Sequence, residues 1–168
     1  SNPNCLISSN SSNPRLKVCA CGQVLEEFEL IKQFGLEDRI RYMVTDFSQE
    51  FVRSLFSICD VYVAPSRGEG FGLPFVQAQM ASKPIISINA LSIRDVVVHG
   101  KTGWLAKPVR ENGLLKADIG ELTDYLQKML TNKELRMKMG REARKYAFGN
   151  YRPEVIADRL MELVALLK

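Results

Sequence analysis

Residues 65–80 read PSRGEGFGLPFVQAQM, and this stretch decides the fold of the 168-residue chain. It follows the apolar run VYVA at residues 61–64, which has the composition of a buried parallel strand. Three glycines within five residues allow the backbone to turn sharply and to approach a ligand closely. Leu73 and Pro74 then begin an apolar helix, because proline is tolerated in the first turn, where no amide donor is needed. The stretch therefore predicts a strand, a glycine loop and a helix start.

The predicted helix start is a candidate ligand site. Unpaired amides at the amino end of a helix favour an anion or a hydroxyl-rich ligand. Glu69 lies in the loop as a candidate acceptor for hydroxyl groups. Gln77 lies about one turn into the helix, where it is placed to face the same cleft. The alternative for Glu69 is a solvated acid in a surface loop, since glycine-rich turns between strands and helices are common in α/β folds.

Outward from this stretch, strand-like and helix-like segments alternate along the chain. Predicted strands lie at residues 16–21, 40–44, 61–64, 84–88 and 104–105. Predicted helices lie at residues 24–34, 93–98, 133–148 and from 153 onward, and the candidate helix caps are Ser48, Ser92 and Asp118. This alternation predicts a three-layer α/β fold around a doubly wound parallel sheet of about five strands. Ligands bind at the carboxyl ends of such strands, and Glu69 lies at that edge.

Composition distinguishes a short amino-terminal segment from the rest of the chain, which has the composition of a single domain. Residues 1–14 are rich in Ser, Asn and Pro, and we expect them to form a flexible amino-terminal segment. Residues 15–168 are expected to form a single domain, in which residues 109–117 are a polar connection. Hydrophobic residues make up 46% and charged residues 25%, which is the balance of an ordinary globular domain. No apolar run reaches the roughly 18 residues that a membrane-spanning helix requires.

Charge and cysteine content argue against two functional classes. The net charge of +4 is only mildly basic, so nucleic-acid binding is not expected, although an anionic nucleotide or a membrane-surface acceptor would suit it. The cysteines are Cys5, Cys19, Cys21 and Cys59, without a Cys-x-x-Cys pair, and the single histidine is His99. This set argues against a zinc site. We expect reduced thiols in a cytosolic protein.

The run EGFGLP at residues 69–74 resembles the signature of the retaining GT-B glycosyltransferases of family 4, also called group 1. The match continues through residues 83–87 and 100–108, and it covers residues 46–108 well. The resemblance implies a Rossmann-like domain that forms the carboxyl-terminal, donor-binding half of a GT-B fold. It also implies transfer of a sugar from a nucleoside diphosphate sugar to an acceptor hydroxyl, with the anomeric configuration retained.

The family pattern has two glutamates separated by seven residues. The resemblance implies that the first, Glu69, is the catalytic residue and contacts the donor sugar. The second position holds Gln77, where the family's acid contacts the ribose hydroxyls; an amide can still hydrogen-bond a ribose, without charge. The donor-binding residues that the resemblance implies are Gly70, Phe71, Gly72, Leu73 and Gln77. Asp95 falls where the family usually has a Glu near the donor cleft, and an acid in the first turn of a helix is an equal alternative.

The resemblance also implies partners. In the family, an Arg and a Lys grip the donor diphosphate from a loop near the start of this half, and nothing before Lys17 matches that string. The expected partners are the nucleotide-sugar donor and an amino-terminal acceptor-binding domain, on which the family's last helix packs. We therefore expect residues 153–168 to keep part of an apolar stripe exposed and the chain alone to be inactive. No metal and no cofactor besides the donor substrate is expected. A cytoplasmic enzyme is expected, and peripheral membrane association of the full enzyme is compatible with it.

Two other functions fit parts of the sequence. The neutral Gln77 is compatible with a non-catalytic nucleotide-sugar-binding or scaffolding domain. Another enzyme class on a similar frame, such as a nucleotide-sugar epimerase, would call for acid and base groups that the sequence does not offer as a set. The donor base, the sugar and the acceptor are not specified by these residues.

Overall fold

A six-stranded sheet forms the centre of the fold. The computed structural model describes residues 5–10, 13–21, 24–43, 48–66 and 68–167, with no side-chain detail at 5–28 and 41–43. The strands are β1 Cys5–Asn10, β2 Asn13–Cys21, β3 Ile40–Met43, β4 Val61–Ala64, β5 Ile85–Ile88, β6 Gly103–Ala106, β7 Pro108–Glu111 and β8 Leu114–Ala117. The helices are α1 Val24–Gln33, α2 Gln49–Ile58, α3 Leu73–Met80, α4 Ile93–Val96, α5 Ile119–Thr131, α6 Lys133–Tyr151 and α7 Pro153–Ala165.

Four neighbouring strands, β2, β4, β5 and β6, run parallel in that order. Val63 pairs with Ile86, and Ile86 pairs in turn with Trp104. Every residue of β4 and β5 is buried, as expected for strands that are covered by helices on both faces. The predicted α/β fold with a doubly wound parallel sheet is thus confirmed.

Alternate side chains of β4 point to opposite faces of the sheet and so belong to two layers of the core. Tyr62 packs edge-to-face against Phe56 of α2 and Phe75 of α3, with 5.4 Å between ring centroids in each pair. The neighbouring Val61 and Val63 belong instead to a cluster with buried methionines of α5 and α6. Since successive side chains of a strand point to opposite faces, one strand anchors helices on both sides of the sheet. The predicted three layers follow from this arrangement.

The amino-terminal edge of the sheet differs from the prediction. The flexible segment predicted at 1–14 contains a strand, β1, which pairs antiparallel with β2 on one side and β3 on the other. The predicted strand at 40–44 is present as β3, but it lies beside β1 and not beside a parallel neighbour. Pairing on both sides supplies backbone partners whatever the strand propensity of Ser and Asn, so context overrides composition here.

A hairpin replaces the predicted polar connection at 109–117. Strands β7 and β8 pair antiparallel from Pro108 opposite Ala117 to Glu111 opposite Leu114. The turn residues Asn112 and Gly113 have φ angles of 51° and 79°. Positive φ at both positions is the geometry of a type I′ turn, for which Asn-Gly is the preferred sequence. The hairpin signal was therefore in the sequence.

The helix ends confirm two of the predicted caps. The Ser48 hydroxyl accepts a hydrogen bond from the Phe51 amide at 3.1 Å, and the Asp118 carboxylate accepts one from the Glu121 amide at 2.9 Å. Cys59 is buried with a free thiol, while the side chains of the other three cysteines lie outside the described part. Within the described residues, no helix combines the length and the apolar composition that crossing a bilayer requires.

The last helix, α7, has an exposed apolar stripe, as predicted. None of its residues is buried. The exposed apolar residues of the stripe and of the turn that follows are Ile156, Leu160, Met161, Leu163, Val164, Leu166 and Leu167. Several adjacent side chains of this size form a patch larger than the single apolar residues common on surfaces.

Helix α6 packs closely on the end of α3. The Arg144 guanidinium donates a hydrogen bond to the Met80 carbonyl at 2.7 Å. A β-carbon added at Gly140 would lie 2.2 Å from the Ser82 carbonyl oxygen. Only glycine therefore allows this approach of helix to backbone.

Gly140→Ala should destabilise the domain, because α6 must move away from the Ser82 carbonyl. We expect the free energy of unfolding to fall by about 1–3 kcal/mol, measured by urea denaturation. The matched control is Gly149→Ala in the same helix, where an added β-carbon meets no described atom within 4 Å. That variant should be neutral or stabilising by up to about 1 kcal/mol, from helix propensity. Equal stabilisation by both variants would contradict the close packing.

Candidate functional site

The glycine loop joins the carboxyl end of β4 to the amino end of α3. Gly72 precedes the helix with a φ of 88°, in the left-handed region, and Pro74 lies in the first turn. Among the described residues, no side chain caps this helix end. A β-carbon at Gly72 would lie 2.6 Å from the ring of Phe75, so both the backbone angle and the space require glycine. Since Pro74 has no amide hydrogen and the Phe75 amide donates to the Gly72 carbonyl at 3.0 Å, the amides that no described side chain caps here are those of Gly72 and Leu73.

Glu69 is half-buried in this loop, and its backbone is tied to α4. The Ser92 hydroxyl donates a hydrogen bond to the Glu69 carbonyl at 2.9 Å. The sequence predicted Ser92 as the cap of the following helix, but no side-chain cap bond is present there. Ser92 does not cap the helix because it has helical backbone angles, whereas capping residues are usually extended.

Gln77 lines a groove between α2 and α3. The groove encloses a cavity of about 330 Å³. Its lining residues are Gln49, Val52, Arg53, Phe56, Gln77, Met80 and Ala81. Glu69 is not among the lining residues, so this groove does not bring together the two residues that were predicted to share a cleft. Glu69 lies toward α4, and Gln77 lies toward α2.

The other predicted ligand-binding residues lie at the surface of the loop. The side chain of Phe71 is 46% exposed and that of Leu73 is 64% exposed, although both are apolar. Gly70 is exposed as well, and Gly72 is buried. Exposed apolar side chains at an open helix end leave room for a ligand to cover them.

Two tyrosines of α6 join the loop to α4, and sequence reasoning missed both. The ring of Tyr151 lies edge-to-face on the ring of Phe71, with 5.7 Å between centroids. The Tyr151 hydroxyl donates to the Asp95 carbonyl at 3.0 Å, and the Tyr146 hydroxyl is 3.3 Å from the same oxygen. Burial raises the pKa of Tyr151 well above its usual range, so its hydroxyl stays a donor. Tyr146 lies within the helix predicted at 133–148, whereas Tyr151 lies beyond its predicted end, because the observed helix continues to residue 151.

Two further residues have structural roles near the site. The His99 ring accepts a hydrogen bond at Nδ1 from the Leu105 amide at 3.0 Å, which leaves that nitrogen unavailable as a base. Gln79 is fully buried, and its amide donates to the Val96 carbonyl at 2.9 Å. This bond connects α3, which begins just after the Glu69 loop, to α4. Asp95 itself is exposed and contributes its backbone carbonyl.

Comparison with known proteins identifies the family. The family described as "Glycosyl transferases group 1" matches residues 5–146. N-acetyl-alpha-D-glucosaminyl L-malate synthase of Bacillus anthracis is 28% identical over 131 residues, which are 78% of this chain and 32% of that protein. The chain thus spans about a third of the length of this curated relative.

Solved structures of the same kind share the fold. The carboxyl-terminal domain of the group 1 glycosyl transferase LpcC from Francisella tularensis has a TM-score of 0.65 at 23% identity, covering 76% of this chain and 62% of that one. HepE of Anabaena, solved in complex with UDP-glucose, has a TM-score of 0.68 at 22% identity, covering 83% of this chain and 36% of that one. From the family match over most of its length, together with this fold, the chain belongs to the group 1 glycosyl transferases, which have a GT-B architecture.

Proposed function

We propose that the chain is the donor-binding half of a retaining glycosyltransferase. The enzyme would move a sugar from a nucleoside diphosphate sugar to an acceptor hydroxyl, with the anomeric configuration retained. The observation that carries the proposal is the open amino end of α3, which follows Glu69 by a few residues inside the family match. The UDP-glucose complex of HepE, a structural neighbour, supports a nucleotide-sugar ligand.

The proposed donor lies across the start of α3. Its diphosphate meets the backbone amides of Phe71, Gly72 and Leu73, where the helix dipole favours negative charge. Charge develops on this diphosphate as the sugar leaves, so donors already in place lower the barrier. The Glu69 carboxylate accepts hydrogen bonds from hydroxyls of the transferred sugar on the α4 side. The proposal assigns no metal or organic cofactor to the reaction.

Gln77 takes the nucleoside side of the donor in this proposal. The cavity of about 330 Å³ between α2 and α3 begins beside Gln77, and its walls combine apolar Val52 and Phe56 with polar Gln49 and Arg53. Apolar walls with a few polar groups are typical of small-molecule sites. The neutral amide can donate to one ribose hydroxyl and accept from the other. Glu69 and Gln77 thus serve the two ends of one ligand.

The amino-terminal acceptor-binding domain is the proposed partner. The apolar stripe of α7 is suited to packing against it, since burying each Leu or Met would contribute about 1.5–3 kcal/mol. An attacking hydroxyl also has to be positioned over the donor, and that partner would supply this function.

A non-catalytic nucleotide-sugar-binding domain is the second candidate. The neutral Gln77 favours it, because the family pattern has an acid at that position. The two candidates differ in one measurement, which is sugar transfer by the complete protein.

Glu69→Ala in the complete enzyme should lower turnover by about 10²-fold, because the transferred sugar loses its positioning contact. Gln77→Ala should instead raise the KM for the donor with a smaller change in kcat. Steady-state kinetics against donor concentration separate these outcomes. Near-normal turnover in Glu69→Ala would assign the sugar contact to another residue, and absence of transfer by the unmodified complete protein would favour the non-catalytic candidate.

Gly72→Ala should raise the Kd for nucleoside diphosphates by about 2- to 5-fold, the factor that corresponds to the contribution of a helix end. The new β-carbon conflicts with the Phe75 ring and forces the backbone out of the left-handed region, so the amides before α3 are re-aimed. Gly68→Ala is the control, since no described atom lies within 4 Å of a β-carbon there. Both variants are compared by NMR titration with UDP, GDP and ADP and by thermal unfolding. Unchanged affinity in a folded Gly72→Ala protein would remove these amides from the proposed site.

Residues 1–168 alone should bind UDP, GDP or ADP only weakly, with a Kd of about 10⁻⁴ M or above. The helix end contributes about 0.3–1 kcal/mol toward a diphosphate. Each charge-assisted bond from the family's Arg and Lys would add about 1.5–3 kcal/mol, and no match to that string precedes Lys17. Calorimetry measures the affinity, and a sugar-release assay measures transfer, which should be undetectable. Sub-micromolar binding would show that the site is complete within these residues.

A further inference from the structure

Tyr151 contacts both the glycine loop and helix α4. It is the last residue of α6, 80 positions along the chain from Phe71. Its ring meets the Phe71 ring in the glycine loop, with a centroid distance of 5.7 Å and an interplanar angle of 78°. Its hydroxyl donates to the Asp95 carbonyl of α4 at 3.0 Å. One side chain therefore fixes the loop after β4 relative to the segment after β5.

The glycine loop has little other support around these contacts. A β-carbon at Gly68 or at Gly70 would meet no described atom within 4 Å, so the domain leaves open space where a side chain would begin at either position. Among the described residues of the loop, two side-chain contacts hold it, namely the Ser92 hydroxyl on the Glu69 carbonyl and the Tyr151 ring on Phe71. A loop with few packed neighbours depends on such contacts for a fixed geometry.

Edge-to-face packing makes the contact between the Tyr151 and Phe71 rings depend on the angle between them. The positive edge of one ring meets the negative face of the other, so the pair prefers this angle over other orientations. Tyr146 supports the arrangement, because its ring lies 6.0 Å from the Tyr151 ring and its hydroxyl reaches the same Asp95 carbonyl. Tyr151 is thereby fixed from α6 and α4 before it meets Phe71.

We propose that Tyr151 is a positioning residue for the donor, acting through Phe71 on the amides that receive the diphosphate. It does not touch the donor itself, and its role rests on the proposed function. The contact orients Phe71, and the Phe71 and Gly72 amides point at the ligand only when that side chain is held. Loss of the ring therefore weakens donor binding without unfolding the domain.

The test uses the ¹⁵N-labelled 168-residue protein and three variants. Tyr151→Leu removes the ring and the hydroxyl, and Tyr151→Phe keeps the ring. Tyr146→Phe is the matched control, because it removes a hydroxyl from the same carbonyl but leaves the ring on Phe71. In Tyr151→Leu, the amide order parameters of Phe71 and Gly72 should fall from about 0.85 to below about 0.6, with those of β4 and β5 unchanged. Both tyrosine-to-phenylalanine variants should retain rigid loop amides.

Binding is measured on the same samples by titration with UDP, GDP and ADP. For the diphosphate that binds best, the Kd should rise about 3- to 5-fold in Tyr151→Leu and stay within about twofold in Tyr151→Phe and Tyr146→Phe. If Tyr151→Leu does not fold, Phe71→Leu breaks the same ring contact from the exposed side and should give the same two changes.

The outcomes separate the two proposals. Unchanged order parameters at Phe71 and Gly72 in the ring-deleting variants would overturn the positioning role. A uniform fall in all order parameters would also overturn it, since it would show a role in general stability. If no diphosphate perturbs the unmodified protein even at millimolar concentration, the proposed donor site fails, while the loop measurement still decides whether Tyr151 orders the loop.

Discussion

The packing of Tyr62 between Phe56 and Phe75 is the contact on which the rest of the site depends. It fixes α2 and α3 to the same face of β4, and the groove beside Gln77 is the space left between those two helices. The same Phe75 ring occupies the volume that a side chain at Gly72 would need. A core aromatic residue thereby forces the glycine, and the glycine leaves the helix end uncapped. Core packing and ligand access are two results of one arrangement.

Helix α3 separates two environments that the sequence motif describes as one. The Glu69 backbone carbonyl accepts a bond from Ser92 beside α4, and the Phe71 ring meets Tyr151 of α6, whereas Gln77 borders α2 and an open groove. An extended ligand with two polar ends fits this division better than a compact one. The sugar end would then meet a tethered loop, and the nucleoside end would meet a groove with room for different bases.

Local signals in the sequence were sufficient for the centre of the fold. The run at 61–74 predicts a buried strand, a tight loop and a proline-started helix, and each of these depends only on neighbouring residues. Ser48 and Asp118 were predictable as caps for the same reason. The Asn112-Gly113 turn was equally local, and it should have predicted the hairpin.

The missed features depend on residues distant in sequence. Half of strand β1 consists of Ser and Asn, and its pairing with β2 and β3 becomes apparent only when the sheet is assembled. Ser92 has the residue type of a helix cap, but its hydroxyl reaches a carbonyl 23 residues earlier. Tyr151 lies well beyond the motif that it contacts. The catalytic and binding roles proposed for Glu69 and Gln77 rest on resemblance, and spacing alone predicts only where they lie.

A small tilt of α6 about its contact with the Ser82 backbone would move Tyr151 against the glycine loop. From Gly140, where the helix rests on the Ser82 carbonyl, to Tyr151 at its end is 11 residues, or about 16 Å at the rise of an α-helix. A tilt of about 5° at the resting point would displace the tyrosine by about 1.4 Å over that length. Misplacement of about 1 Å far from the reacting atoms is enough to slow an enzyme strongly. The contact of Gly140 with the Ser82 backbone thus limits the tilt of α6 and, with it, the position of Tyr151 against the glycine loop.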